Sequence, residues 1–187
     1  MRKEWLLFLS ATLHGCVFNS GSEFVSDAAP IGDLAAIAGC YQNAGETEEA
    51  GRARYLSQLF WVQPVAEHAA IAVIEVQVPE ADRVRVLANS SEGATLQADY
   101  RQGEHFTFDG EKISLPGRWD SSFAAPADNP FIGLAHSSVT LRLDRSGNGV
   151  LTEGSSIAGT AFLIVPVAGS TSDSIRFNRL GDHCPDR

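Results

Sequence analysis

AIAVIEVQV-PEAD-RVRVLA, residues Ala70 to Ala88, decides the fold class of this chain. Val and Ile alternate with polar residues at period two on both sides of a Pro-containing break, the pattern of half-buried strands and not of a helix. A one-residue slip between two such strands would turn every buried side chain into water, so the pairing parity is set by the pattern. A three-residue loop, Pro79-Glu80-Ala81, places Val76 opposite Val84 and Ile74 opposite Val86 inside. The same register sets Glu75 opposite Arg85 and Gln77 opposite Arg83 outside, both favourable cross-strand neighbours. A five-residue loop keeps that parity and a four-residue loop breaks it. The expectation is therefore an odd-length loop, with Arg83 not opposite Val78.

Outward from this hairpin the strand signals continue. Gly39–Asn43 reads as a first strand, preceded by a short helical turn over Leu34–Ala38 that Asp33 caps. The polar, acidic stretch Asn43–Ala50 reads as an exposed loop, and Tyr55–Gln63 as an aromatic strand limited by Pro64. Thr95–Tyr100, His105–Phe108, Lys112–Leu115, Val139–Asp144 and Val150–Glu153 read as further short strands. Gly159–Val167 holds a continuous apolar run typical of a strand covered on both faces, and Ser174–Leu180 reads as the last strand. Pro116–Ser138, rich in Pro, Asp, Ser and aromatics, is long for a connector and reads as a functional loop or lid. About eight to ten short strands with little helix predict a mainly β fold, an antiparallel barrel, with a β-sandwich as the alternative.

The first residues follow a different logic. Arg2 and Lys3 precede an apolar run, Trp5–Leu13, and then Leu13-His14-Gly15-Cys16. Basic, apolar and small in that order is the arrangement of an export signal, and the run falls short of the roughly 20 residues a bilayer span needs. The cysteine at the cleavage point resembles the lipobox of bacterial lipoproteins, although His14 stands where that family prefers a small residue. The resemblance implies removal of residues 1–15 and lipid attachment at Cys16. Val17, not an acidic residue, follows the cysteine, which in that family favours the outer membrane, on its periplasmic or surface face. Residues 16–33 then read as the lipidated N-terminus and a flexible tether, reaching on the order of 20–25 Å. Residues 34–187 read as a single domain.

Charge and cysteine content narrow the function classes. Losing Arg2, Lys3 and Glu4 with the leader changes 14 Lys+Arg against 23 Asp+Glu to 12 against 22. So acidic a chain excludes a phosphate-binding nucleic-acid surface and a polybasic lipid-headgroup patch. With Cys16 lipidated, two of the three cysteines remain, Cys40 and Cys184. In an oxidising compartment they permit one disulfide; the alternative is two unpaired thiols. No C-x-x-C motif points to zinc or redox chemistry.

Gly39 and Tyr41 in the first strand, many antiparallel strands, and Arg179 in the last strand resemble the calycin and lipocalin barrels. In that family an aromatic of the first strand packs against the last-strand arginine and closes the base. The resemblance implies the same of Tyr41 and Arg179, with Arg176 as the fallback. Tyr41 stands where the family usually has Trp, and Ala98-Asp99-Tyr100 matches its central T-D-Y motif only loosely. Such a barrel encloses one small apolar ligand or is filled by its own side chains. Phe60, Trp61, Phe106 and Phe108 suit a core or a pocket, and Trp119 and Phe131 are the candidate ligand or lid residues.

Motifs for chemistry are weak. Gly154-Ser155-Ser156-Ile157-Ala158 departs from G-x-S-x-G in its last residue and lacks the strand-to-helix setting. Asp144–Gly149 resembles the start of a calcium loop, but Ser155 sits where a bidentate Glu belongs, and a hairpin turn accounts for the same residues. His68, His105, His136 and His183 show no metal-ligand spacing. The reading is a non-enzymatic, lipid-anchored binding protein with no catalytic residue, metal or cofactor. It carries a small apolar or lipid-like ligand, or alternatively docks envelope proteins on a filled core.

Overall fold

The computed structural model describes residues 16–20, 24, 27–47, 53–89, 95–120, 131–161 and 165–184. The expected leader, 1–15, and residues 121–130 of the expected lid lie outside them. The strands are β1 (Cys16–Ser20), β2 (Ala28–Ala29), β3 (Gly39–Gln42), β4 (Glu46–Thr47), β5 (Val73–Glu80), β6 (Arg83–Asn89) and β7 (Thr95–Arg101). They continue as β8 (Thr107–Phe108), β9 (Ile113–Asp120), β10 (Phe131–Asp144), β11 (Gly149–Ala161), β12 (Val165–Phe177) and β13 (Arg179–Gly181). One helix, α1 (Val65–Ala70), and 3₁₀ turns at Leu34–Ile37 and Leu56–Leu59 complete the regular elements.

Two sheets share one core. The larger is ordered β1-β12-β11-β10-β9-β8, with β2 on β10 and β4 on β12; the smaller is β13-β3-β5-β6-β7. All ladders are antiparallel except β1 on β12. Asn178 alone separates β12 from β13, which pairs with β3, so one chain segment turns the corner between the sheets. The ring predicted for a barrel does not close: β8 is two residues long, and its side meets the β7 side only through an isolated bridge, Gln102–Phe106. The fold is mainly β and antiparallel, a sandwich or open barrel-like arrangement.

The central hairpin keeps the expected parity of its inner pairs but not the expected odd-length loop, since its turn is two residues long. Val76 lies opposite Val86 and Ile74 opposite Ala88, two residues along from the three-residue-loop register, while Gln77 faces Arg85 and Glu75 faces Leu87. The chain turns on Ala81-Asp82, with Glu80 opposite Arg83, and an irregularity between Gln77 and Glu80 takes up the odd residue. Pro79 occupies that irregularity, where its missing N–H costs no ladder bond. Ile74, Val76, Val84, Val86 and Ala88 are all buried, as one face of the pattern requires.

Elsewhere the structure departs from the sequence reading. Tyr55–Gln63 is not a strand: Leu56–Leu59 forms a 3₁₀ turn, and the apolar side chains of this segment plug the space between the sheets. The acidic loop contributes β4, which pairs Glu46 with Arg176 on β12. The described residues of the long connector Pro116–Ser138 are strand, since β9 runs to Asp120 and β10 begins at Phe131. Gly159–Val167 is not one covered strand; Ala161 pairs with Val165, so the run is the outer end of the β11–β12 hairpin. Within the stretch read as a tether, Cys16–Ser20 pairs with Val167–Thr171 and Ala28–Ala29 with β10. Asp33 caps the Leu34 turn, its Oδ1 accepting from Ala35 N at 2.9 Å.

Candidate functional site

The candidate site is an apolar cavity between the two sheets. Its volume is about 80 Å³, measured as space open to the centre of a water-sized sphere. Val86 and Val84 line it from the smaller sheet, Leu141, Leu151 and Phe177 from the larger. These side chains converge because β5, β6, β10, β11 and β12 each present alternate apolar residues to the same interior. The two phenols at its edge are spent elsewhere. Tyr41 Oη donates to Ile37 O at 2.9 Å, and Tyr100 Oη donates to Phe60 O at 3.2 Å. Burial pushes both phenols above their ordinary pKa, with the Arg179 charge partly offsetting the effect at Tyr41. The site therefore offers dispersion and shape, and no hydrogen-bonding group aimed inward.

One wall is the plug that the sequence pattern concealed. Leu56, Leu59 and Phe60 line the cavity, and Phe60 stacks at an angle on Tyr100 with centroids 5.6 Å apart. Trp61 meets Phe60 edge-on, and His105 meets Tyr100 edge-on. Beneath the plug lies a buried polar knot. Asn43 Nδ2 donates to His68 O and Ile71 O, Asn43 Oδ1 accepts from Ser57 N, and Ser57 Oγ bonds His68 Nδ1 at 2.8 Å. Asn43, Ser57 and His68 are all buried. The contact has the parts of a nucleophile and base, but no substrate reaches it; it ties the plug and α1 to the end of β3. An isolated His68 and a turn-like Asn43 gave no sequence signal of this knot.

At the other end, Arg179 and Tyr41 are register partners on β13 and β3. The Arg179 guanidinium donates to Ala36 O, Ala38 O and Asp182 Oδ1, closing the base of the sandwich over the first 3₁₀ turn. It crosses Gly39 so closely that a Cβ there would lie 2.7 Å from Nε and 2.9 Å from Gly181 O, so only glycine fits. Arg176, the fallback, instead pairs with Glu46 and lies over the Phe24 ring. Cys40 and Cys184 form a disulfide, joining strand β3 to the tail that follows β13.

No family model matches this chain, and neither does any curated protein or solved structure. The site must be read from its own chemistry.

The remaining candidates fall away from the cavity. Trp119 stands opposite His136 on β10, and Phe131 stands opposite Ala161. Phe131 is ten residues before Leu141 on the same strand, roughly 33 Å at 3.3 Å per residue, so the Phe131 position lies far along the strand from this interior. Cys16 likewise lies at the outer end, opposite Val167. Gly154–Ala158 is plain strand within β11. The Asp144 carboxylate is occupied by its own turn, accepting from Ser146 N, Asn148 N and Asn148 Nδ2. Among the described residues, no His, Cys, Asp and Glu cluster suits a metal ion, and no helix is long and apolar enough to cross a membrane.

Proposed function

We propose that this protein is exported, lipid-anchored at Cys16 in the outer membrane, and works by holding a small apolar or lipid-like ligand between its sheets. The apolar cavity under the Phe60 plug carries this reading. At about 80 Å³ it is smaller than the roughly 150 Å³ void that admits benzene. As it stands it suits the end of an acyl chain, and a longer ligand requires the plug to shift. Such a shift would carry Phe60 away from its Tyr100 hydrogen bond and ring contact, while the Asn43–Ser57–His68 knot holds the Ser57 end of the plug in place.

Native mass spectrometry of the membrane-extracted protein tests the reading. The expected result is a co-purifying apolar adduct that Leu141→Phe, which fills the cavity, removes without unfolding the chain. A wild-type protein without adduct, and without saturable uptake of a fluorescent fatty acid, would sink it. The second reading, docking of envelope proteins, is favoured by the small volume and by β7, the terminal strand of its sheet. A protein adduct in the same spectrum would select it.

A further inference from the structure

The outer part of the long ribbon β10–β11–β12 belongs neither to the core nor to the cavity. From Phe131 to Ser138 and from Gly154 to Ser172 the sequence holds no Asp, Glu, Lys or Arg, although these make up 20% of the chain. The paired registers sort these residues into bands. The rung just inside them, Val139–Glu153–Asp173, is charged and still touches the body of the fold, Val139 packing on the core and Glu153 pairing with Arg54. Next come hydroxyl rungs, Ser138–Gly154–Ser172 and Ser137–Ser155–Thr171. After a further polar rung, His136–Ser156–Ser170, the rungs turn largely apolar, as in Leu134–Ala158–Ala168, whose three residues are all exposed.

Charge, then hydroxyl, then hydrocarbon along one axis is the polarity profile of a membrane leaflet entered from water. Strand β1 adds the position. It runs parallel to β12 and pairs Cys16 with Val167, so the residue proposed to carry the acyl chains stands at the same apolar end. Among the described residues, the last charged groups toward that end are Arg118 and Asp120 on β9, opposite Ser137 and Ala135. The rungs from Leu134 outward to Phe131 span roughly 10 Å, within the roughly 15 Å depth of one leaflet. A deeper seat would place those charges in hydrocarbon, which is costly.

We infer that the outer end of this ribbon is a membrane seat: it inserts into the leaflet that holds the Cys16 acyl chains and orients the sandwich away from the surface. The inference rests on the proposed anchoring for its orientation, but the apolar end binds a bilayer on its own. With no Lys or Arg on the inserted strands, the contact is hydrophobic and owes nothing to anionic headgroups or low salt.

The test separates the two ideas. The chain from residue 16, which contains every described residue, is exported behind an unrelated cleavable signal with Cys16→Ser and floated with phosphatidylcholine vesicles. It is expected to co-float, equally with added phosphatidylglycerol and at high salt. Leu134→Asp, Ala158→Asp and Ala168→Asp together should reduce the bound fraction at least about tenfold. The same number of carboxylates at Ala69, Ala81 and Thr107, exposed positions outside the ribbon, should leave it unchanged. A native disulfide and far-ultraviolet spectrum in each variant show that the fold persists. If the unacylated chain stays in the aqueous phase, or floats equally well with the ribbon carboxylates, the seat is wrong. Mass spectrometry of the native Cys16 peptide reports on the anchor alone: an unmodified thiol with intact vesicle binding overturns the anchor and keeps the seat.

Discussion

Strands β10, β11 and β12 are each one continuous element, yet their inner and outer halves are built for different surroundings. The inner half places Leu141, Leu143, Leu151, Ile175 and Phe177 against the smaller sheet, and all but the half-buried Leu141 are buried. In the outer half the same pairing continues with Ser, Gly, Ala and scattered Leu and Ile, and Leu134 is 53% exposed. Backbone hydrogen bonding is the same in both halves, so pairing alone does not create a core. Side-chain volume decides where a sheet folds onto itself and where it is left for another surface. Stability should accordingly concentrate in the inner half.

The largest break of this contrast comes from the disulfide. Cys40 and Cys184 are separated by 144 positions, so the bond restricts nearly the whole unfolded chain. Chain-entropy arguments give about 5 kcal/mol for a loop of this size. That is comparable to the total stability of many domains, roughly 5–15 kcal/mol. Cys40→Ser with Cys184→Ser should therefore bring the chain near the edge of unfolding at 37 °C, read as a large fall in the urea midpoint. A change below about 1 kcal/mol would mean that the unfolded chain is already compact.

A matched pair of truncations addresses the contrast directly. Phe177→Ala empties a fully buried position beside the cavity and should cost about 3–5 kcal/mol. Ile157→Ala removes a half-buried side chain in the outer ribbon and should cost less than about 1 kcal/mol in the absence of membrane. Equal costs in urea unfolding would show that the outer half packs against part of the chain and is not a free surface.

Parts of this organisation were legible in the residues. The alternation in Ala70–Ala88 gave the strands, the buried face and the parity, because burial on one face leaves no other choice. It did not give the two-residue turn, since a bulge at Pro79 conserves parity and is invisible to a face argument. Tyr55–Gln63 misled because an apolar aromatic run looks alike whether it lies within a sheet or plugs the gap between two. Ala161–Val167 misled for a related reason: continuous apolarity says that water is avoided, not what replaces it. The Asn43–Ser57–His68 knot was out of reach, as its members meet only after β3, the plug and α1 have docked. Gly39, Tyr41 and Arg179 come together at the base, where the missing side chain of Gly39 leaves room for the long cation beside the ring.

The smallest expected effect lies at the edge of the inner half. Glu46 on β4 receives hydrogen bonds from Arg176 and Asn178, and its carboxyl is held below the ordinary range, chiefly by the Arg176 bond. A carboxylate depressed in the folded state adds stability that is present above its unfolded pKa, ordinarily about 4.3, and is lost as pH falls through the folded value. The pair is exposed to solvent, so its worth is at most about 1 kcal/mol. Glu46→Gln should lower stability slightly at pH 7, and the gap from wild type should vanish in acid below the folded pKa. High salt should narrow the same gap at pH 7. A gap that persists in acid would assign the effect to the geometry of β4 on β12, because a charge pair cannot survive protonation of its carboxylate whereas a two-residue backbone ladder can.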